Sequence, residues 1–86
     1  MVVPRMVDDL IEAGWYVLES DFDPRAFSEW KAKAFECVHA MMGPSHPYTQ
    51  YFKAFVTSPE HADLLAGEGI LNAVKEQMAR SNGQGS

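Results

Sequence analysis

Residues 23–56 read DPRAFSEWKAKAFECVHAMMGPSHPYTQYFKAFV, and this stretch decides the fold. Asp23 followed by Pro24 is typical of a helix start, because a carboxylate caps free backbone N–H groups and proline is tolerated in the first turn. Apolar residues then recur at helical spacing, which predicts an amphipathic helix over residues 24–42. Its apolar stripe comprises Phe27, Trp30, Ala34, Cys37, Val38 and Met41.

The turn Gly43-Pro44 ends this helix, since glycine adopts the conformation beyond a helix end and proline cannot continue it. A second amphipathic helix is predicted over residues 47–57, so the stretch forms a helical hairpin. We expect its apolar face to hold Tyr48, Tyr51, Phe52, Phe55 and Val56, and its polar face to hold Thr49, Gln50, Lys53 and Thr57.

The flanking sequence is also helical in pattern. Residues 4–19 alternate apolar and charged residues with a period near 3.6, and Gly14 on the apolar face indicates close approach of a neighbouring helix. Toward the carboxyl end, Gly67 and Gly69 weaken a continuous helix, so we expect two short helices over residues 59–66 and 68–80.

Together these elements predict an all-α protein, a small bundle of four to five short helices with the helical hairpin at its centre. Alternation of period two, the mark of a half-buried strand, is absent from the sequence. We expect one helical domain over residues 4–80 and a flexible tail over residues 81–86, whose sequence is SNGQGS.

Composition excludes several protein classes. A chain of 86 residues with a single cysteine has no internal disulfide, unlike most small secreted domains. No apolar run of a signal peptide follows Arg5, and no run approaches the roughly 20 residues of a membrane span. We therefore expect a cytoplasmic protein that does not enter membranes. Small cores are marginal, which favours self-association as a homodimer.

The net charge of −5 is unevenly placed. Six carboxylates and one arginine lie within the first 23 residues, whereas the rest of the chain is neutral. An acidic surface repels phosphates, so nucleic acid is not an expected partner.

Residue types used in catalysis and metal binding are present but poorly spaced. Cys37 and His39 are two residues apart on a helix and point about 200° apart, so they cannot share a metal. Cys37 lies on the apolar stripe, where a buried thiol is usually inert. His46 and His61 fall in a turn and at a helix start. We expect no metal, no cofactor and no enzymatic activity.

Three segments of the chain resemble a helical module of uncharacterised bacterial and phage proteins. The segments are the tryptophan-bearing helix from Trp30 to Gly43, the aromatic helix with Ser45, Tyr48, Tyr51 and Phe52, and the run Gly67-Glu68-Gly69-Ile70-Leu71. That module often precedes an effector domain in abortive-infection or mobile-element proteins. The resemblance implies an all-helical fold without established catalytic residues.

Three functions remain open. The first is a non-catalytic protein–protein interaction module that self-associates. The second is a phage- or plasmid-type inhibitor that docks a basic host protein through the acidic face of the first helix. The third is a small-molecule binder or enzyme with a pocket near Trp15, Trp30, Tyr48 and His46. Candidate partner contacts for the first two are Asp8, Asp9, Glu12, Tyr16, Glu19, Tyr48 and Tyr51.

Overall fold

The protein is all-helical in a computed structural model that describes residues 5–83. Between residues 5 and 83, four helices follow one another: α1 (Arg5–Glu19), α2 (Pro24–Met42), α3 (Pro47–Phe55) and α4 (His61–Gly83). The described residues contain no strand, so the prediction of a small all-α bundle is confirmed. Within the part of the chain that the structure describes, no helix is both long enough and apolar enough to cross a membrane.

The predicted start and end of α2 are confirmed. The Asp23 carboxylate accepts a hydrogen bond from the Arg25 backbone N–H at 3.0 Å, and Pro24 occupies the first turn. Phe22 packs its ring 5.8 Å from that of Phe27, which fixes the entry of the chain. At the other end Gly43 has a φ of +95°, a conformation that favours glycine.

Helix α3 is rotated relative to the prediction. Thr49 and Phe52 are buried, whereas Tyr51 and Phe55 are exposed. The Thr49 hydroxyl donates a hydrogen bond to the Gly43 carbonyl at 2.7 Å, and this bond lets a polar side chain take an inward position. The helix also stops at Phe55, two residues early, with Val56 as its buried cap residue.

Helix α4 is one continuous helix, so the predicted pair of helices over residues 59–66 and 68–80 is wrong. The buried residues of α4 lie on one face of the helix on both sides of Gly67 and Gly69. Their packing outweighs the helix-propensity cost of about 1 kcal/mol for each glycine. The stripe consists of Leu64, Gly67, Glu68, Leu71 and Val74.

The chain termini are only partly described. Helix α4 continues through residues 81–83, which the sequence assigns to the tail. The rest of that predicted tail, residues 84–86, lies outside the described residues, as do residues 1–4.

Helices α2 and α4 each contact all three other helices, whereas α1 and α3 do not contact each other. The indole N–H of Trp30 on α2 donates to the Leu10 carbonyl of α1 at 2.8 Å, which joins these two helices in the core. Helices α1 and α3 therefore lie on separate flanks of the α2–α4 pair. The core contains Val7, Leu10, Val17, Phe27, Trp30, Ala34, Cys37, Val38, Phe52, Val56, Leu64, Leu71 and Val74.

Candidate functional site: a groove between α1 and α2

A long surface groove, here called the α1–α2 groove, runs between the first two helices. It consists of two adjoining depressions of about 640 and 500 Å³ that share Asp9, Leu10, Ala13 and Lys33. The first also includes Glu12, Tyr16, Val17, Ala26, Glu29 and Trp30, and the second Met6, Glu36, Cys37, Ala40 and Met41.

The floor of the groove is apolar, and small side chains are among the residues that line it. Leu10, Trp30 and Cys37 form buried parts of the floor. Ala13, Ala26 and Ala40 are small side chains among the lining residues. Along α1 the groove extends from residue 6 to residue 17, about 16 Å at the rise of an α-helix. This length corresponds to about three turns of an α-helix.

The rim of the groove is acidic. Four carboxylates line it, and Lys33 is the one basic side chain among the lining residues. The carboxylates belong to Asp9, Glu12, Glu29 and Glu36. An apolar floor within an acidic rim suits a ligand that combines apolar and cationic groups.

The predicted contact residues of α1 divide into two sets. Asp9, Glu12 and Tyr16 line the groove, and Tyr16 is 75% exposed. Asp8 points elsewhere, since its carboxylate pairs with the Lys75 ammonium of α4 at 2.7 Å. Glu19 is exposed at the last position of α1 and is not among the groove residues.

The predicted contact residues of α3 also separate. Tyr48 packs partly buried against the core, so it is not part of an exposed patch. Tyr51 is 49% exposed and forms a pair with Phe55, which is 58% exposed, at a ring centroid distance of 6.1 Å. The sequence analysis placed Phe55 on the apolar face of α3 and did not name it as a candidate contact. The predicted apolar face of α3 is one position out of phase with the observed one.

The pocket predicted near Trp15, Trp30 and Tyr48 is not formed as one cluster. Trp15 and Tyr48 lie on α1 and α3, and these helices do not contact each other within the described residues. His46 is the N-cap residue of α3. Its Nδ1 accepts a hydrogen bond from the Tyr48 backbone N–H at 3.0 Å.

Glu68 is a buried carboxyl that the sequence reasoning did not single out. It is 2% exposed, and neither carboxylate oxygen has a hydrogen-bond partner among the described residues. Burial raises the pKa of this group to about 7. The signal was present, since Glu68 falls on the same helical stripe as Leu64 and Leu71.

Among the described residues, the surroundings of Glu68 offer no partner for acid–base chemistry. Its carboxylate faces Gly14 of α1, beside the Trp30 indole, and the indole N–H is already donated to Leu10. An acid–base pair requires a second titratable group within hydrogen-bond reach. Glu68 is thus an isolated ionisable group that influences stability.

The other chemically active residue types do not converge either. Cys37 is buried in the core, where burial raises the pKa of its thiol and keeps it in the less reactive protonated form. Residues 5–83 contain no group of three histidine, cysteine or carboxylate side chains that could hold a metal ion.

Comparison of the chain with protein-family models, with curated proteins and with solved structures finds no match. The α1–α2 groove is the surface feature on which a functional proposal can rest.

Proposed function

We propose that this chain is a non-catalytic, self-associating helical module that binds protein helices in the α1–α2 groove. In this proposal the α2–α3 hairpin is the scaffold, and α1 completes the binding surface. The observation that carries it is the groove itself, an apolar floor about 16 Å long on the α1 side with an acidic rim. An amphipathic helix buries its apolar row in such a groove and leaves its polar flanks at the rim.

The charges of the groove define the kind of helix that it binds. Carboxylates on both α1 and α2 attract lysine or arginine flanks, and they repel nucleic acid. We therefore propose a protein as the partner and not nucleic acid. The proposal keeps the cytoplasmic location and the absence of a membrane partner that the sequence predicts.

The test uses a synthetic amphipathic peptide of about 15 residues, four turns of helix, with a leucine row flanked by lysines. Binding is measured by anisotropy of the labelled peptide. Ala13→Lys fills the middle of the groove and should weaken binding at least about tenfold. Ala32→Lys adds the same group on an exposed part of α2 that does not line the groove, and should leave affinity unchanged.

A second candidate function is an inhibitor that docks a basic host protein through acidic charge alone. The observation that favours it is the placement of Asp9 and Glu12 opposite Glu29 and Glu36, which concentrates negative charge at one site. A peptide with the same lysines but a scrambled leucine row separates the two functions. Equal binding of the scrambled peptide supports the charge-based inhibitor, and loss of binding supports the groove module.

A further inference from the structure

Glu68 lies where α4 meets α1, and its carboxyl has no hydrogen-bond partner among the described residues. The carboxylate lies against Gly14 of α1 and beside the Trp30 indole of α2. Because α1 covers one side of the carboxylate, departure of α1 exposes Glu68 to water. Ionisation while α1 stays in place leaves a buried, unpaired charge, which is one of the most unfavourable arrangements in a folded protein.

No charged side chain of the described residues reaches the Glu68 carboxylate. The charged side chains of α1 are all exposed, and the one that contacts α4, Asp8, pairs with Lys75 about two turns along α4 from Glu68. Those of α2 and α3 are exposed as well, except Lys31, whose ammonium is 3.4 Å from a carbonyl of the α3–α4 connection. The Cys37 thiol is about two turns along α2 from the indole. Burial therefore raises the pKa of Glu68, to about 7, without help from a neighbouring charge.

Helix α1 has few polar links to the rest of the molecule. Within residues 5–83, its one hydrogen bond to another helix joins the Leu10 carbonyl to the Trp30 indole N–H. Its one ion pair in the same range, between Asp8 and Lys75, is about half exposed, and such pairs contribute little to stability. Apolar packing therefore provides most of the attachment of α1. The buried apolar side chains of α1 are Val7, Leu10 and Val17.

Contacts among the other three helices do not pass through α1. Within the described residues α1 and α3 do not contact each other, whereas α3 packs against both α2 and α4. The ring centroid of Phe52 on α3 is 6.3 Å from that of Trp30 and 6.1 Å from that of Phe35. Gly67 of α4 lies against the same indole. Helix α1 can therefore leave while α2, α3 and α4 stay packed together.

We infer that pH controls the docking of α1, which stays on α2 and α4 while Glu68 is protonated and is released when Glu68 ionises. Release exposes the carboxylate to water and removes the cost of burying its charge. It is a local opening, distinct from unfolding of the whole chain. Because Leu10 and Ala13 of α1 line the α1–α2 groove, release also removes the groove.

Hydrogen exchange of backbone amides, followed by NMR, measures how often each helix opens. The amides of Leu10, Gly14 and Val17 report on α1, away from its first turn. Those of Val38 and Leu71, which are buried in α2 and α4, report on the remaining helices. At pH 8, after correction for intrinsic exchange rates, the α1 amides should be less protected than the other two.

Glu68→Gln provides the control, because glutamine has nearly the same shape and does not ionise. Dividing the exchange rate of each α1 amide in the unchanged protein by its rate in the variant cancels the direct effect of pH on exchange. This ratio should rise about 70-fold from pH 5 to pH 8, as expected for a pKa of about 7 when docked and 4.5 when released. If Glu68→Gln does not fold, Glu68→Leu, which also cannot ionise, takes its place.

The Cys37 thiol gives a second measurement, since it is 3% exposed and lines the groove together with Leu10 and Ala13 of α1. Release of α1 should make it accessible to a disulfide reagent. At pH 8 it should therefore be labelled faster in the unchanged protein than in Glu68→Gln. Cys37→Ala/Val56→Cys moves the buried thiol to the end of α3, and its labelling should be slower because it requires opening of the other helices.

Two results overturn the inference. Equal protection of the α1 amides and of the Val38 and Leu71 amides at pH 8 would show that α1 leaves only when the whole chain unfolds. An exchange ratio or a Cys37 labelling ratio that stays constant with pH would show that Glu68 does not control the release. These measurements involve no ligand, so their outcome is independent of the proposed function of the groove, which the peptide experiment decides.

Discussion

The carboxylate of Glu68 on α4 lies against Gly14 on α1, in the space that a β-carbon on Gly14 would occupy. The Trp30 indole nitrogen is 3.0 Å from the same position. Gly14 therefore makes room for a buried carboxyl that has no hydrogen-bond partner among the described residues. Close approach of a neighbouring helix at Gly14 was expected from the sequence, and the group that approaches is the ionisable side chain of Glu68.

Gly14→Ala should destabilise the protein. Alanine gains about 1 kcal/mol of helix propensity over glycine, but its methyl group meets the Glu68 carboxylate, and overpacking costs about 1–3 kcal/mol. In a Glu68→Ala background the methyl group gains space, so the cost should shrink by about 1 kcal/mol or more. Urea unfolding of the four proteins in this cycle measures the coupling, and purely additive effects would contradict the contact.

Glu68 should make the protein less stable as the pH rises from 4.5 to 7. The folded pKa is about 7 and the unfolded value is 4.5, so the folded chain retains a proton that the unfolded chain releases in this range. Below pH 4.5 both states are protonated and the penalty is absent. Above pH 7 the loss of stability from ionising Glu68 is complete, at about 3 kcal/mol, because one pKa unit corresponds to about 1.4 kcal/mol.

Glu68→Gln isolates this effect, because glutamine has nearly the same shape and does not ionise. The free energy of unfolding, measured in urea from pH 4 to pH 8, should differ little between the two proteins at pH 4. At pH 8 the variant should be the more stable one. A constant difference across this range would show that Glu68 does not titrate with a raised pKa.

The sequence predicted the helices better than it predicted their faces. Asp23, Pro24 and Gly43 are local signals, and α2 begins and ends where they place it. The rotation of α3 depended on a hydrogen bond between Thr49 and the Gly43 carbonyl, which no periodicity reveals. The sequence therefore predicts that Thr49 faces solvent, although its hydroxyl has a hydrogen-bond partner inside the protein.

The candidate site was predicted only in part, for a related reason. Asp9, Glu12 and Tyr16 were singled out as one face of α1, but the groove also needs residues from α2. Helical spacing places residues around one axis, whereas a groove depends on how far apart two axes lie. Glu68 was not singled out from the sequence, although its position on the α4 stripe with Leu64 and Leu71 indicates burial.

Two glycines of α4 should respond oppositely to alanine. A β-carbon on Gly67 would lie 2.6 Å from the Trp30 ring, so Gly67→Ala should displace the indole and cost about 1–3 kcal/mol. A β-carbon on Gly69 would meet no atom of the described residues within 4 Å, so Gly69→Ala should stabilise α4 by about 0.5–1 kcal/mol. Thermal unfolding measures both. Equal shifts of Tm in the Gly67→Ala and Gly69→Ala variants would mean that Gly67 is not packed against Trp30.

Asp63 should stabilise the connection between α3 and α4 in its ionised form. Its Oδ2 accepts backbone N–H groups of Ser58 at 2.7 Å and Thr57 at 3.1 Å, and these bonds lower its pKa below 3.8. The stabilisation is complete above pH 3.8 and is lost as the pH falls through the lowered value. Asp63→Ala should therefore reduce the urea midpoint at pH 7 and have a smaller effect at pH 3. Glu60→Ala removes a neighbouring exposed carboxylate and serves as the control. If it produced the same pH-dependent loss, the effect would come from general charge rather than from these hydrogen bonds.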